Sequence, residues 1–215
     1  HYRDAVELVE QGASRARLIL RQEKEKKTSR NLVLRIEGGD RADEILTVTA
    51  HYDSVPEGPG AYDNMAGAAI VMELCLYFSV HRPRRTMEFV WFGAEEKGLF
   101  GSLDYVVRHQ EELQAHRFNM NVDLAGQTIG GTVIGVTGEP AVCQILSGYA
   151  REAGMGVSFK NQIWGSDSNS FAWKGVPAMT LNRDGFGMHT RHDTIALISA
   201  WSLERSSRLL AMVAS

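Results

Sequence analysis

Five short stretches of this 215-residue chain carry side chains able to do chemistry together. His51 and Asp53 stand two residues apart where the apolar run ILTVTA ends. Asp63 closes a Gly/Pro loop just before a long apolar run. Glu95 and Glu96 follow the run TMEFVWF, and Asp123 follows FNMNV. His189 lies in a glycine-rich loop near the end of the chain. Carboxylates crowded into one place repel each other and raise each other's pKa. Such a group makes sense if divalent cations fill it. Imidazole nitrogen with carboxylate oxygen, and no thiolate, suits zinc, cobalt or manganese. Each residue read alone has an ordinary role as well. Asp63 can cap the helix behind it, Asp123 can end a strand as a turn residue, and Glu95-Glu96 can face solvent at a helix start. His51 can be a satisfied core histidine and His189 a loop histidine. Their common position at strand ends is what favours a site.

The elements that would position them alternate. Residues 45–50 read as a buried strand, because Ile, Val and Thr favour extended backbone. Side chains two apart on a strand share a face, so His51 and Asp53 can act together. Residues 65–80 read as an apolar helix whose small residues let it approach a sheet closely. Strands follow at 86–92, 118–122, 132–137, 157–159 and 176–181, with helices at 99–113, 141–153, 166–173 and 199–213. Ahead of these, residues 4–11 have helical spacing and residues 16–20 read as a short strand. RQEKEKKTSR at 21–30 is a solvated charge run, and 31–37 alternates as a half-buried strand with Leu32, Leu34 and Ile36 inward. Alternating strands and helices predict an α/β fold with helices on both sheet faces, whose sites gather at the strands' carboxyl ends.

Composition sets the remaining bounds. Hydrophobic residues make up 44% of the chain and charged residues 23%, ordinary for a globular domain with a proper core. The net charge of −3 gives no reason to expect nucleic acid or an anionic membrane as partner. No stretch reads as a membrane span, and His1-Tyr2-Arg3-Asp4 does not open a signal peptide, so the compartment stays unread. Cys75 and Cys143 read as free buried thiols. His81, His109 and His116 read as surface residues.

The motifs His51-x-Asp53, Gly60-Ala61-Tyr62-Asp63-Asn64, Glu95-Glu96, Asn121-Val122-Asp123 and His189-Thr190-x-x-Asp193-Thr194 occur in one order. This pattern resembles the co-catalytic di-zinc aminopeptidase family, which also includes glutamate carboxypeptidase, animal glutaminyl cyclases and the transferrin receptor ectodomain. The resemblance runs from about Asn31 to the C-terminus. It implies a three-layer α/β/α sandwich with a mixed, largely parallel sheet, the phosphorylase/hydrolase-like fold of zinc exopeptidases. It implies two Zn2+, with Co2+ or Mn2+ as substitutes. His51 and Asp123 would bind one, Glu96 and His189 the other, and Asp63 would bridge them. Asp53 would orient His51 from behind, and Glu95 would be the general base of a metal-bridged hydroxide. The resemblance also implies a cis peptide between Asp63 and Asn64. The activity implied is removal of N-terminal residues from peptides with a free N-terminus.

Alternatives within the family are a glutaminyl-cyclase-like acyltransferase, or a carboxypeptidase or dipeptidase in which Arg183 or Arg191 would meet the substrate carboxylate. A non-catalytic, receptor-like interaction domain is the rival from another class, and it has no need of the ligands present here. His192, three residues after His189, is read as a bystander. The family's tyrosine donor to the oxyanion has no counterpart at Met188 or at Ile163-Trp164-Gly165. Ser166 and Asp167 open an element resembling the family's Ser-Asp-x-x-x-Phe, near the substrate; their ordinary role is to cap a helix. Residues 1–215 are read as one catalytic domain, with 1–30 the junction left by a protease-associated domain.

Overall fold

In the computed structural model, which describes residues 2–138, 140–152 and 154–215, seven strands pair into one sheet. They are β1 (Leu32–Ile36), β2 (Arg41–His51), β3 (Arg85–Phe92), β4 (His116–Val122), β5 (Thr132–Val136), β6 (Val157–Lys160) and β7 (Ala178–Arg183). Their spatial order is β1-β3-β2-β4-β7-β5-β6. β1 runs antiparallel to β3 and β5 antiparallel to β7, while the other neighbours are parallel. The sheet is therefore mixed and largely parallel, as expected.

The helices are α1 (Tyr2–Glu10), α2 (Ala66–Val80), α3 (Phe100–Arg108), α4 (Pro140–Glu152), α5 (Ser168–Ala172) and α6 (Ala200–Ala214). Leu46, Val48 and Ala50 of β2 pack with Ile70, Val71 and Leu74 of α2, Leu146 of α4 and Leu209 and Leu210 of α6. Val90 and Phe92 of β3 pack on the opposite layer with Tyr105 and Val106 of α3 and Phe171 of α5. Both faces of the central strands are covered, so residues 45–51 are all buried. Three layers result.

α2 comes close because its first turn is small. A Cβ at Gly67 would meet Asn64 Oδ1 at 2.3 Å and Val122 O at 2.8 Å. The Trp91 indole of β3 donates to Ala68 O at 3.0 Å and fixes the same turn. The run Ala61–Val80 is long and apolar enough to cross a membrane by length and composition, which the sequence reading overlooked. Here it is a core helix, because it has the sheet on one side and α6 on the other.

Several local expectations change. Residues 16–20 form no strand, and Leu18, Ile19 and Leu20 are exposed, with no neighbouring strand to pair them. β1 is an edge strand, so Leu32 and Leu34 face solvent and only Ile36 packs on the core. The helix expected to reach residue 113 stops at Arg108, and a 3-10 turn follows at Leu113–Ala115. The expected end of α4 at residue 153 lies outside the described residues. His116, expected at the surface, starts β4 and is buried, with its Nδ1 2.7 Å from Thr47 Oγ1. Cys75 and Cys143 are free; Cys75 is buried and Cys143 half-buried. α1 has no buried residue.

Candidate metal centre

β2 is followed in the chain by β3 on one side of it, and then by β4 on the other. The carboxyl ends of diverging parallel strands leave a crevice there. His51 is the last residue of β2, Asp123 follows β4, and Glu95 and Glu96 lie just beyond β3. Asp63 comes from the turn ahead of α2, and His189 from the loop between β7 and α6. The Asp63–Asn64 peptide is cis, and the Asn64 amide donates to Val122 O at 2.8 Å, which ties this turn to the end of β4. Ala94, Leu99, Leu124 and His189 all have positive φ, between 57° and 65°. Side-chain-bearing residues rarely adopt that backbone. Ala94 directly precedes Glu95 and Leu124 directly follows Asp123, so tight left-handed turns aim the carboxylates into the crevice.

The six polar side chains meet as two facing groups. His51 Nε2 lies 3.1 Å from Asp63 Oδ1 and 3.4 Å from Asp123 Oδ1. His189 Nε2 lies 3.1 Å from Asp63 Oδ2 and 3.2 Å from Glu96 Oε2. Asp63 thus presents one oxygen to each histidine. Glu95 also has a donor atom within 4.8 Å of those of His51 and Asp123. These groups line a cavity of about 380 Å³ together with Gly98, Leu99, Leu124, Gly165 and Met188.

Supporting contacts fix each side chain. His51 Nδ1 is 3.1 Å from the Asp53 main-chain carbonyl, and 3.7 Å from its carboxylate. The orienting contact expected of Asp53 is thus made mainly through its backbone. Its carboxylate instead accepts the Glu95 and Glu96 N–H groups at 3.0 and 3.2 Å. Ser166 Oγ donates to Asp123 Oδ2 at 2.5 Å and accepts from Asn121 Nδ2 at 2.7 Å; Thr49 Oγ1 donates to Asn121 Oδ1 at 2.8 Å. This relay leaves Asp123 Oδ1 free to face His51.

The electrostatics describe a site short of positive charge. Burial alone would lower the His51 pKa, but bonds to Asp123, Asp53 and Asp63 outweigh it and hold the ring well above its ordinary value. Burial pushes Glu95 up to about 8, helped by Asp123, Asp167 and Glu96 and opposed by His51. Burial, then Asp63, raises Glu96, with His189 opposing. Burial opposes ionisation of Asp53 and Asp123 too, yet the bond to His51 keeps both below the usual carboxylate range.

These residues have the donor set that divalent zinc takes. With Nδ1–H donated to the Asp53 carbonyl, a neutral His51 aims its Nε2 lone pair at two carboxylate oxygens. That arrangement needs a proton or a cation between them. Tetrahedral zinc with bonds of about 2.0–2.1 Å sets its ligand atoms roughly 3.3 Å apart, and the 3.1–3.4 Å between these atoms is compatible with that. Glu96 Oε1 is buried and has no hydrogen-bond partner among the described residues.

Other sequence-derived candidates fall elsewhere. Ser166 is buried, and its hydroxyl is engaged by Asp123 and Asn121. Asp167 is fully buried, and burial pushes its pKa up to about 7. Neither caps α5 through its side chain. Ser166 also lines a neighbouring cavity beside Asp123 and Gly165, and Asp167 lines neither that cavity nor the first. Arg183 is buried and donates to Gln127 O, Thr128 O and Thr132 Oγ1, which removes it as a carboxylate receptor. His192 is exposed and outside both groups. Sequence reasoning quoted Asp193 within a motif without giving it a role. It is 1% exposed and accepts the Tyr62 N–H on Oδ1 at 2.6 Å and the Asp63 N–H on Oδ2 at 3.0 Å. An aspartate four residues after a loop histidine gave no sign of that reach.

The profile of peptidase family M28 matches residues 31–214. Aminopeptidase YwaD of Bacillus subtilis is 43% identical over 84 residues, which are 39% of this chain and 18% of that protein. An aminopeptidase of Pseudomonas aeruginosa is 28% identical over 204 residues, covering 80% of this chain and 38% of that protein. The crystal structure of BSAP, a zinc aminopeptidase from Bacillus subtilis, aligns with a TM-score of 0.77 at 27% identity, over 84% of this chain and 48% of that one. The chain spans less than half the length of each of these relatives.

Proposed function

The chain belongs to peptidase family M28, and from that membership we propose that it is a zinc-dependent aminopeptidase. It hydrolyses the first peptide bond of peptides that carry a free N-terminus. The observation that carries this reading is the Asp63 carboxylate, which offers one oxygen at 3.1 Å to each of two histidines on different loops. In this reading His51, Asp123 and Asp63 hold one Zn2+, and Glu96, His189 and Asp63 hold a second, with Co2+ or Mn2+ able to replace them.

When bound, zinc supplies Lewis acidity that polarises the scissile carbonyl and brings the ionisation of water near neutral pH. Glu95 is assigned the proton transfer. Its carboxyl lines the first cavity and lies within reach of the ligand atoms of His51 and Asp123, the place a base and acid must occupy. One Glu95 oxygen takes the proton of the attacking water and delivers it to the leaving amine nitrogen. Asp53 keeps Glu95 aimed by holding its N–H, and Ser166 keeps Asp123 turned toward His51. A second cavity of about 360 Å³ adjoins the first through Asp123, Leu124, Gly165 and Met188. Its walls include Val133 and Trp164, and we assign it the side chain of the substrate's first residue.

The test uses aminoacyl-anilides with free and acetylated amines, on protein stripped of metal and then resupplied with zinc. Hydrolysis of the free-amine substrate alone, lost with the metal and restored by zinc, is the expected result. A zinc-loaded chain that cleaves neither substrate, or both equally, contradicts the proposal. The inert outcome would favour an interaction domain instead.

A further inference from the structure

His189 and Asp63 reach the site from loops more than 120 residues apart in sequence, and Asp63 serves both ligand groups. Something must hold the two loops in register. One Asp193 oxygen takes the Tyr62 N–H and the other the Asp63 N–H, and Asp193 O lies 3.4 Å from the Ala61 nitrogen that donates to it. The loop on the other side is bonded to itself. Thr190 N donates to Gly187 O, Asp193 N to Thr190 O and Thr194 N to His192 O. Any shift of Asp193 therefore passes to His189. The same joint is tight from the opposite side: a Cβ at Gly58 would meet Thr190 O at 2.6 Å.

From this geometry we infer that Asp193 is a positioning residue that clips the His189 loop to the backbone of Asp63 and so sets the spacing of the two ligand groups. The inference rests on the two-zinc reading above. Releasing the clip loosens Asp63, which both groups share, and also loosens His189, which only one group contains. The Glu96–His189 group is therefore more affected than the His51–Asp123 group. Only a carboxylate serves: an asparagine in its place would turn an amide NH2 toward one of the two N–H donors.

The experiment is a Co2+ titration of the metal-free chain, followed by its visible absorption and by calorimetry, with melting temperature recorded in parallel. The wild type is expected to take up two ions. In Asp193→Asn one of the two steps is expected to weaken about 10- to 100-fold, the usual effect of removing a support behind a ligand, and the other step less. A role confined to overall stability would lower the melting temperature and leave the ratio of the two affinities unchanged, which overturns the inference. Gly58→Ala presses on the same joint and is expected to change that ratio in the same direction. If Asp193→Asn does not fold, unchanged affinities in Gly58→Ala overturn the inference and a changed ratio supports it. A wild type that binds no Co2+ contradicts the zinc reading itself, a different failure from two normal steps in both variants.

Discussion

Glu95 gains its character from burial beside three other carboxyl groups, which lifts its pKa to about 8. Replacing it by glutamine keeps the shape and removes the proton carrier. Glu95→Gln should lower kcat by about 10²- to 10⁴-fold with zinc content unchanged, as measured by steady-state kinetics and elemental analysis on the same sample. The same residue governs pH behaviour without metal. In the folded chain Glu95 keeps its proton to about pH 8, whereas the unfolded chain gives it up near 4.5. The stability it contributes is thus complete below pH 4.5 and is lost as pH rises toward 8. His51, also raised, acts in the same direction, its contribution fading above its ordinary value. The melting temperature of metal-free protein should fall from pH 5 to 8, and Glu95→Gln should flatten the slope; a rise over that range would contradict the assignment. The residues that carry charge were legible in sequence because each sits at the end of an apolar run. Asp193 was not, since its partners are backbone N–H groups 130 residues away. The part played by the Asp53 carbonyl was equally hidden, because main-chain groups look alike at every position.

At the scale of elements, the crevice exists because β3 and β4 leave β2 on opposite sides. The closeness of α2 completes it. Gly67→Ala puts a methyl group against the Asn64 amide and Val122 O, both fixed by the bond between them. That overpacking should cost about 1–3 kcal/mol in chemical denaturation and weaken metal uptake through Asp63; an unchanged midpoint would show that the turn yields freely. Buried strands and the apolar helices were readable from periodicity, since burial on both faces leaves a continuous apolar run. The left-handed turns at Ala94, Leu99 and Leu124 were not readable, because the residue that takes the positive φ is neither glycine nor asparagine. Residues 16–20 have the composition of a strand, but strand pairing is a property of neighbours, and here there is none. Ser166 shows the same limit: its place ahead of a short helix suggested a cap, and its bond to Asp123 came only with the fold.

Across the whole molecule, residues 31–214 carry the sheet, the core and every site residue. α1 buries nothing, and Leu18, Ile19 and Leu20 are exposed. Deleting residues 2–28 should change the unfolding free energy by no more than about 0.5 kcal/mol, the scale of alterations that remove no buried contact. A larger loss would mean that this segment packs on the catalytic layers. We propose that residues 1–30 are the junction to a protease-associated domain; a longer chain in which Leu18, Ile19 and Leu20 become protected from hydrogen exchange would support it, and their continued exposure would not. The zinc account itself depends on Asp63 standing between two ligand groups. Zinc per chain, determined by elemental analysis after exhaustive dialysis of wild type and Asp63→Ala, tests this most directly. Two ions in the wild type and loss of both in the variant are predicted; a metal-free wild type, or two ions retained without the Asp63 carboxylate, would contradict it.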